Sequence, residues 1–245
     1  MTDNGSYGGQ TRLGAVVPSP NAIIESDVTS LLPPGVTAHF ARVGLETRLS
    51  EDLLERMADE LVHECRKLAL LRPAALGYGC TSGSFFQEGD FDERMVRRMM
   101  DASGGIPATT ATTAAVSALR ELGASQIAFV SPYEQAMHAR GVDYFSRQGF
   151  AVRGDACLGL MEETAIGQVT TETLSELVQK AYDPRVEAIF ISCTGLPSLG
   201  ALPALVVEQG KPVLASNLTF TWHLLRLAGV LDAPTSISLL TARWQ

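Results

Sequence analysis

The sequence predicts an α/β protein of two pseudo-symmetric lobes, each a parallel four-stranded sheet flanked by helices. Two observations carry that expectation. Short apolar runs bounded by Pro or Gly alternate with longer helix-like stretches, the pattern of βαβ units and a parallel sheet. In addition, one phrase occurs twice: Ala75-Leu76-Gly77-Tyr78-Gly79-Cys80-Thr81-Ser82-Gly83 matches Ala188-Ile189-Phe190-Ile191-Ser192-Cys193-Thr194-Gly195-Leu196 in pattern. The match extends both ways. Leu13 to Pro18 parallels Ile127 to Pro132, and Gly105 to Thr110 parallels Gly210 to Ala215.

Taken in order, strands are expected at 12–17, 36–42, 74–79 and 106–109 in the first half, and at 126–131, 150–155, 187–192 and 212–215 in the second. Helices fall between them at 21–31, 50–71, 91–103, 111–122, 134–148, 170–182, 198–209 and 218–229. Ser50 followed by two acids, and Thr170-Thr171-Glu172, are N-cap signals. Residues 1–10 are Gly-rich and polar and are expected to fray. The lobes are expected at 11–112 and 113–217, with the C-terminal helix, about 218–245, crossing back to the first lobe because it occupies the repeat position of Thr113–Leu122.

With 245 residues and 46% hydrophobic content the chain can bury a sizeable core. A net charge of −8 leaves no basic footprint, which argues against nucleic acid or an anionic membrane as partner. No run of about 18 apolar residues marks a membrane span, and no charged-then-apolar leader marks a secretory signal, so the expected compartment is cytoplasmic. Four cysteines without CxxC spacing and four scattered histidines give no metal signature. Neither GxGxxG nor GxxxxGK[ST] follows any strand, which disfavours a nucleotide.

Ligands of open parallel sheets bind beyond the carboxyl ends of the strands. Five polar strand exits fall there: Pro18-Ser19-Pro20-Asn21, Cys80-Thr81-Ser82, Ser131-Pro132-Tyr133, Cys193-Thr194-Gly195 and Ser216-Asn217. Their convergence puts the active site in the cleft between the lobes, with one thiol from each. A thiol, with an ordinary pKa of about 8.5, is a useful acid or base once backbone donors hold its anion. Pro197 suits the first turn of a helix that would hold the Cys193 thiolate at its positive end. Thr81-Ser82-Gly83-Ser84 forms a small-residue loop whose N–H and O–H groups suit a carboxylate or enolate oxygen.

Each of these residues also has a structural explanation. An isolated cysteine at a strand end is more often a small buried hydrophobe; two at equivalent repeat positions, each followed by Thr, favour chemistry. Cys65 and Cys157 lack that context and are assigned to packing. Tyr133 either donates to a ligand oxygen or caps the core, and Asn21 is also a plain helix N-cap. The segment from Leu158 to Gln168 and the Phe85-Phe86 pair shape a pocket, although Phe85-Phe86 serves equally as core filling.

At these residues the chain resembles the aspartate/glutamate racemase superfamily, in the branch containing arylmalonate decarboxylase and maleate cis-trans isomerase. The resemblance runs from Leu13 to Leu227. It implies two α/β lobes around a cleft, no cofactor, and two cysteines acting from opposite sides of the substrate at the positions of Cys80 and Cys193. It further implies that Asn21 holds a substrate carboxylate, and that Thr81, Ser82 and Tyr133 form a carboxylate and enediolate pocket. Thr194 and Gly195 complete the second turn of the substrate site. The first thiol is a departure, because arylmalonate decarboxylase has glycine where this chain has Cys80. The small polar loop after Cys80 departs in turn from the apolar loop of maleate isomerases.

Three functions follow as expectations. The first is a cofactor-independent isomerase or racemase of a small carboxylic acid, using Cys80 and Cys193 as a pair. The second is an arylmalonate-type decarboxylase with Cys193 as proton donor. The third is a small-carboxylate binding protein without catalysis. The resemblance permits a homo-oligomer, and the expected partner is a small carboxylate or dicarboxylate.

Overall fold

A computed structural model describes residues 11–44, 51–87 and 89–230; the expectations for residues 1–10, Ser50 and 231–245 lie outside them. Among the described residues the first lobe holds β1 (Thr11–Pro18), α1 (Ile24–Ser30), β2 (Val36–Val43), α2 (Glu51–Ala69), β3 (Ala75–Tyr78), α3 (Thr81–Phe85), α4 (Phe91–Ser103) and β4 (Ala108–Thr110). Helix α5 (Ala111–Glu121) leads into β5 (Gln126–Tyr133), α6 (Gln135–Arg147), β6 (Ala151–Leu160), α7 (Glu163–Ile166), α8 (Thr171–Lys180) and β7 (Ala188–Ile191). A 3-10 turn (Leu199–Ala201), α9 (Leu202–Gln209), β8 (Val213–Ala215) and α10 (Ser216–Leu227) close the chain.

The two sheets have the same order, β2-β1-β3-β4 and β6-β5-β7-β8, with every pairing parallel. The repeated phrase is therefore a repeated position: β3 and β7 each lie inside their sheet, and each ends two residues before a cysteine. Both strands are wholly buried, as parallel strands covered on two faces must be. The outer strands β2 and β6 carry His39, Arg42, Arg153 and Asp155 and are only part-buried, which suits edges that must stay soluble.

Helix α10 follows the second sheet but lies on the first. A side chain at Gly77 would meet the Phe220 ring at 2.4 Å, so the bare backbone of β3 is what lets α10 dock. His223 Nδ1 on the same helix is 2.7 Å from Thr109 Oγ1 at β4. Helix α5 packs against α10 through an alanine-rich surface that includes Ala111, Ala114, Ala115 and Ala118, all buried, and Arg120 reaches the Gln148 carbonyl after α6. The lobes are thus stitched by α10, by its packing against α5 and by the Arg120 bond. Below them, Phe129, Phe145 and Phe190 form an aromatic centre under the second sheet.

Several local expectations need correction. The segment 81–85 is helical rather than a loop, with Cys80 as its N-cap residue. No helix starts at Pro197: residues 194–196 turn, a 3-10 turn follows, and α9 starts at Leu202 with Pro203 in its first turn. Helix α1 starts at Ile24 because Asn21 Oδ1 takes up the N–H groups of Ile23 and Ile24. No described helix is long and apolar enough to cross a membrane, and the described residues contain no group of three or more His, Cys, Asp and Glu able to hold a metal ion.

Candidate active site

Cys80 is reached by β3 and held by the first turn of α3. Its backbone is extended, with φ −137°, and its thiol lies under the turn that follows. The Gly83 N–H points at the sulfur, and a Cβ at Gly83 would stand 2.8 Å from Cys80 Sγ and 2.6 Å from Tyr78 Oη. Only glycine leaves room for both. Ser82 Oγ is 3.9 Å from the sulfur. Tyr78 Oη, fully buried, has no hydrogen-bond partner of ordinary geometry but lies against the thiol. Burial raises the Cys80 pKa to about 11; Gly83 N–H works against that rise, Glu163 adds to it, and Ser82 and Tyr78 lower it a little.

Cys193 is delivered by β7 into a turn of a different kind. Its φ is +99°, a region that L-residues other than glycine rarely enter. Bonds on both sides hold it there: Cys193 N–H donates to Ser216 Oγ at 3.0 Å, and Asn217 Nδ2 donates to the Thr194 carbonyl at 3.0 Å. Burial pushes this thiol well above its ordinary value and the Glu163 charge pushes it further, opposed by Gly195 N–H and the Tyr133 hydroxyl. Cys193 also responds to Cys80 itself, so the two sulfurs share one electrostatic enclosure.

Tyr133, at the end of β5, sits close enough to both thiols to be influenced by each. Its hydroxyl is 3.3 Å from Ser192 Oγ, and the Phe85 ring meets its ring edge-on at 6.0 Å. Phe85 and Phe86 are both buried, so the pair fills core and Phe85 steadies Tyr133. Thr81 Oγ1 donates to Ser216 Oγ, Thr194 Oγ1 donates to the Gly79 carbonyl, and Asn21 Nδ2 donates to Thr194 Oγ1. These bonds tie the Cys80 turn, the Cys193 turn and the exit of β1 into one frame. The Ser82 hydroxyl has the Cys80 thiol as its neighbour, at 3.9 Å, which leaves it free to turn toward a ligand.

Sequence reasoning gave the segment Leu158 to Gln168 to the pocket but did not single out Glu163, the first residue of α7. It is 94% buried, its Oε1 lies 2.1 Å from where a Gly195 Cβ would be, and burial alone raises its pKa to about 7. Its signal was its place: Met161-Glu162-Glu163 is the exit of β6, a strand end left out of the five whose convergence was expected. Cys65 is fully buried, Cys157 is part-buried with Sγ 3.5 Å from Gln135 Oε1, and neither is among the groups that influence Cys80 or Cys193.

Two other clusters mimic sites. Ser131 Oγ, His138 Nδ1 and His138 Nε2, Asp155 Oδ1 line up at 2.8 Å and 3.0 Å like a hydrolase relay, but Ser131 is wholly buried and the chain clamps β5 to α6 and β6. A groove of about 580 Å³ between α2 and α4 holds Arg94, Arg97 and Arg98, each paired with an acid, and contains neither thiol.

The sequence model of the arylmalonate decarboxylase family matches residues 13–240. Arylmalonate decarboxylase of Bordetella bronchiseptica is 28% identical over 220 residues, covering 89% of this chain and 90% of the relative. Among solved structures, a maleate isomerase variant of Pseudomonas putida S16 with maleate has a TM-score of 0.89 at 23% identity, covering 95% of this chain and 98% of that one. The Nocardia farcinica maleate cis-trans isomerase with a covalently bound succinylcysteine intermediate has a TM-score of 0.88 at 24% identity, covering 94% and 98%. With nearly its whole length matched by the family model, and two lobes that superpose on these structures, the chain belongs to the arylmalonate decarboxylase family.

Proposed function

We propose that this chain is a cofactor-independent isomerase or racemase of a small carboxylic acid, with Cys80 and Cys193 acting as a pair. The observation that carries the reading is that two buried thiols, one from each lobe, share an enclosure with Tyr133 and Glu163. Their environments suit different roles. The Cys80 sulfur is met by the Gly83 N–H, Ser82 and Tyr78, donors that favour its anion, while at Cys193 the Glu163 charge, second only to burial, favours the protonated form. Cys80 is accordingly the nucleophile or base and Cys193 the proton donor.

On a cis double bond, the Cys80 thiolate forms a C–S bond and the π electrons move to the neighbouring carbon, which takes a proton from Cys193. Rotation about the new single bond, return of that proton to Cys193 and loss of the thiolate give the trans acid. The succinylcysteine of the Nocardia farcinica relative is an adduct of this type. On a chiral α-carbon, one cysteine removes the proton and the other returns one from the opposite face. Both routes pass through an enolate that Ser82, Tyr133 and the Thr81 turn are placed to hold.

A second reading is favoured by the family match itself: decarboxylation of a disubstituted malonate, with Cys193 protonating the enediolate and Cys80 a bystander. Proton NMR in deuterium oxide with maleate, aspartate, glutamate and a methyl-aryl-malonate separates the two. Fumarate, or deuterium at an α-carbon with loss of chirality, supports the two-thiol reading when Cys80→Ala abolishes it. Loss of the malonate to a singly deuterated acid, undiminished in Cys80→Ala, overturns it for decarboxylation.

A further inference from the structure

Glu163 is a carboxylate without a partner. It is 94% buried, and among the described residues no hydrogen-bond donor or cation offsets the burial of its side chain. Burial of a charge is costly unless it is matched, and proteins ordinarily match it or keep it neutral. The groups that face it are the wrong kind to do so. Cys80, from the end of β3, and Cys193, from the end of β7, are acids, and both feel the Glu163 charge. Tyr133, a third acid, stands beside both of those thiols at the end of β5 and adds no cation to their surroundings. The Glu163 carboxylate packs directly on Gly195, where even a Cβ would collide with it, so it lies against the Cys193 turn with both thiols within its field.

From this placement we propose that Glu163 binds a protonated nitrogen on the substrate, so that the acid handled between Cys80 and Cys193 is an amino acid rather than a plain dicarboxylate. The inference rests on the two-thiol reading for its chemistry but not for its binding. A ligand ammonium is the partner this carboxylate lacks, and a second carboxylate in its place would meet a like charge within the same low-dielectric space. The match also reaches the thiols. The Glu163 charge raises both of them, so a cation bound there removes that field and eases ionisation of Cys80 at the moment the substrate arrives. The Cys80 thiolate then takes the proton from the carbon bearing the amine, the electron pair left behind spreads into the substrate carboxylate, and Cys193 delivers its own proton to the opposite face. One S–H bond forms and one breaks, and no oxidant or reductant enters.

Matched ligand pairs that differ only in the amine test this by calorimetry at pH 8: aspartate against succinate, alanine against propionate, and phenylglycine against phenylacetate. In the wild-type protein the amine-bearing member of at least one pair binds 10-fold or more tighter than its amine-free partner. Glu163→Gln, nearly isosteric but neutral, loses that preference by 10-fold or more, and Glu163→Asp retains part of it. Equal or weaker binding of every amine-bearing member, no measurable binding by any of them, or an unchanged ratio in Glu163→Gln overturns the proposal. The wild-type ratios need no variant to fold. An amine preference that depends on Glu163 without exchange of α-hydrogen for deuterium upholds the inference while the two-thiol reading fails. Turnover of amine-free acids without such a preference sinks the inference alone.

Discussion

The two cysteine turns occupy equivalent positions in matching sheets, yet they hold their thiols differently. The Cys80 turn has relaxed, extended backbone and surrounds its sulfur with the Gly83 N–H, Ser82 and Tyr78. The Cys193 turn has a backbone at φ +99° and sets its sulfur near a buried carboxylate. A duplicated architecture thus carries two thiols with different neighbours, and such a difference is what a reaction with one base and one donor needs. Symmetry supplies one thiol from each lobe; departures from symmetry give each its own surroundings.

The largest expected effects break the pair outright. Cys80→Ala and Cys193→Ala each abolish isomerisation or racemisation, at least 10³-fold in kcat, while far-ultraviolet circular dichroism stays unchanged. Chiral chromatography of the product checks it. Equal turnover in Cys80→Ala and the wild type removes the first lobe from the chemistry. Next comes the cradle. Ser82→Ala lowers kcat by about 10²- to 10³-fold, the usual cost of one oxyanion donor, and Tyr133→Phe does the same. If kinetics show a raised KM with kcat intact, these hydroxyls bind substrate without favouring the enolate.

Glu163 sharpens the comparison through stability. Its carboxyl is raised from 4.5 to about 7 in the folded protein, so the folded state holds a proton that the unfolded state has already lost between those values. Its stabilising contribution is complete below pH 4.5 and disappears as pH rises through about 7. Glu163→Gln, which cannot ionise, therefore gains about 3 kcal/mol over the wild type at pH 8 and almost nothing at pH 4.5. Urea unfolding at both pH values reads the difference directly. A gain that is the same at both would mean that the carboxyl is not the titrating group.

Much of this was legible in the sequence, for identifiable reasons. The βαβ alternation and the doubled Cys-Thr phrase give the two sheets because central parallel strands need continuous apolar runs, which Ala188 to Ile191 spell out. Helix caps were readable where the side chain itself does the bonding: Thr170 Oγ1 accepts from Thr173 N–H at the start of α8. Helix α3 was not, because five residues containing Gly83 and two serines have no helical period, and only the packing of Ser84 Oγ against the Cys80 and Thr81 carbonyls closes that turn. The helix expected at Pro197 failed for the converse reason, since a proline suited to a first turn starts a helix only where the chain has room to wind. The segment Leu158 to Gln168 was legible as pocket lining but Glu163 within it was not, because Glu162-Glu163 has the composition of a solvated face and the Gly195 turn that packs on it is far away in sequence.

The smallest effect tests the backbone difference itself. Alanine at position 193 keeps the positive φ and its strain, whereas glycine enters that region freely, so Cys193→Gly unfolds with about 1 kcal/mol more free energy than Cys193→Ala. At position 80 the extended backbone suits any L-residue, and glycine there only enlarges the entropy of the unfolded chain. Cys80→Gly is therefore less stable than Cys80→Ala, by about 0.5 to 1 kcal/mol. Comparing Gly with Ala at each site cancels the loss of the thiol, so the opposite signs report the turns alone. If urea unfolding gives the same sign at both positions, the Ser216 and Asn217 bonds do not strain Cys193, and the two turns differ in their neighbours without differing in backbone strain.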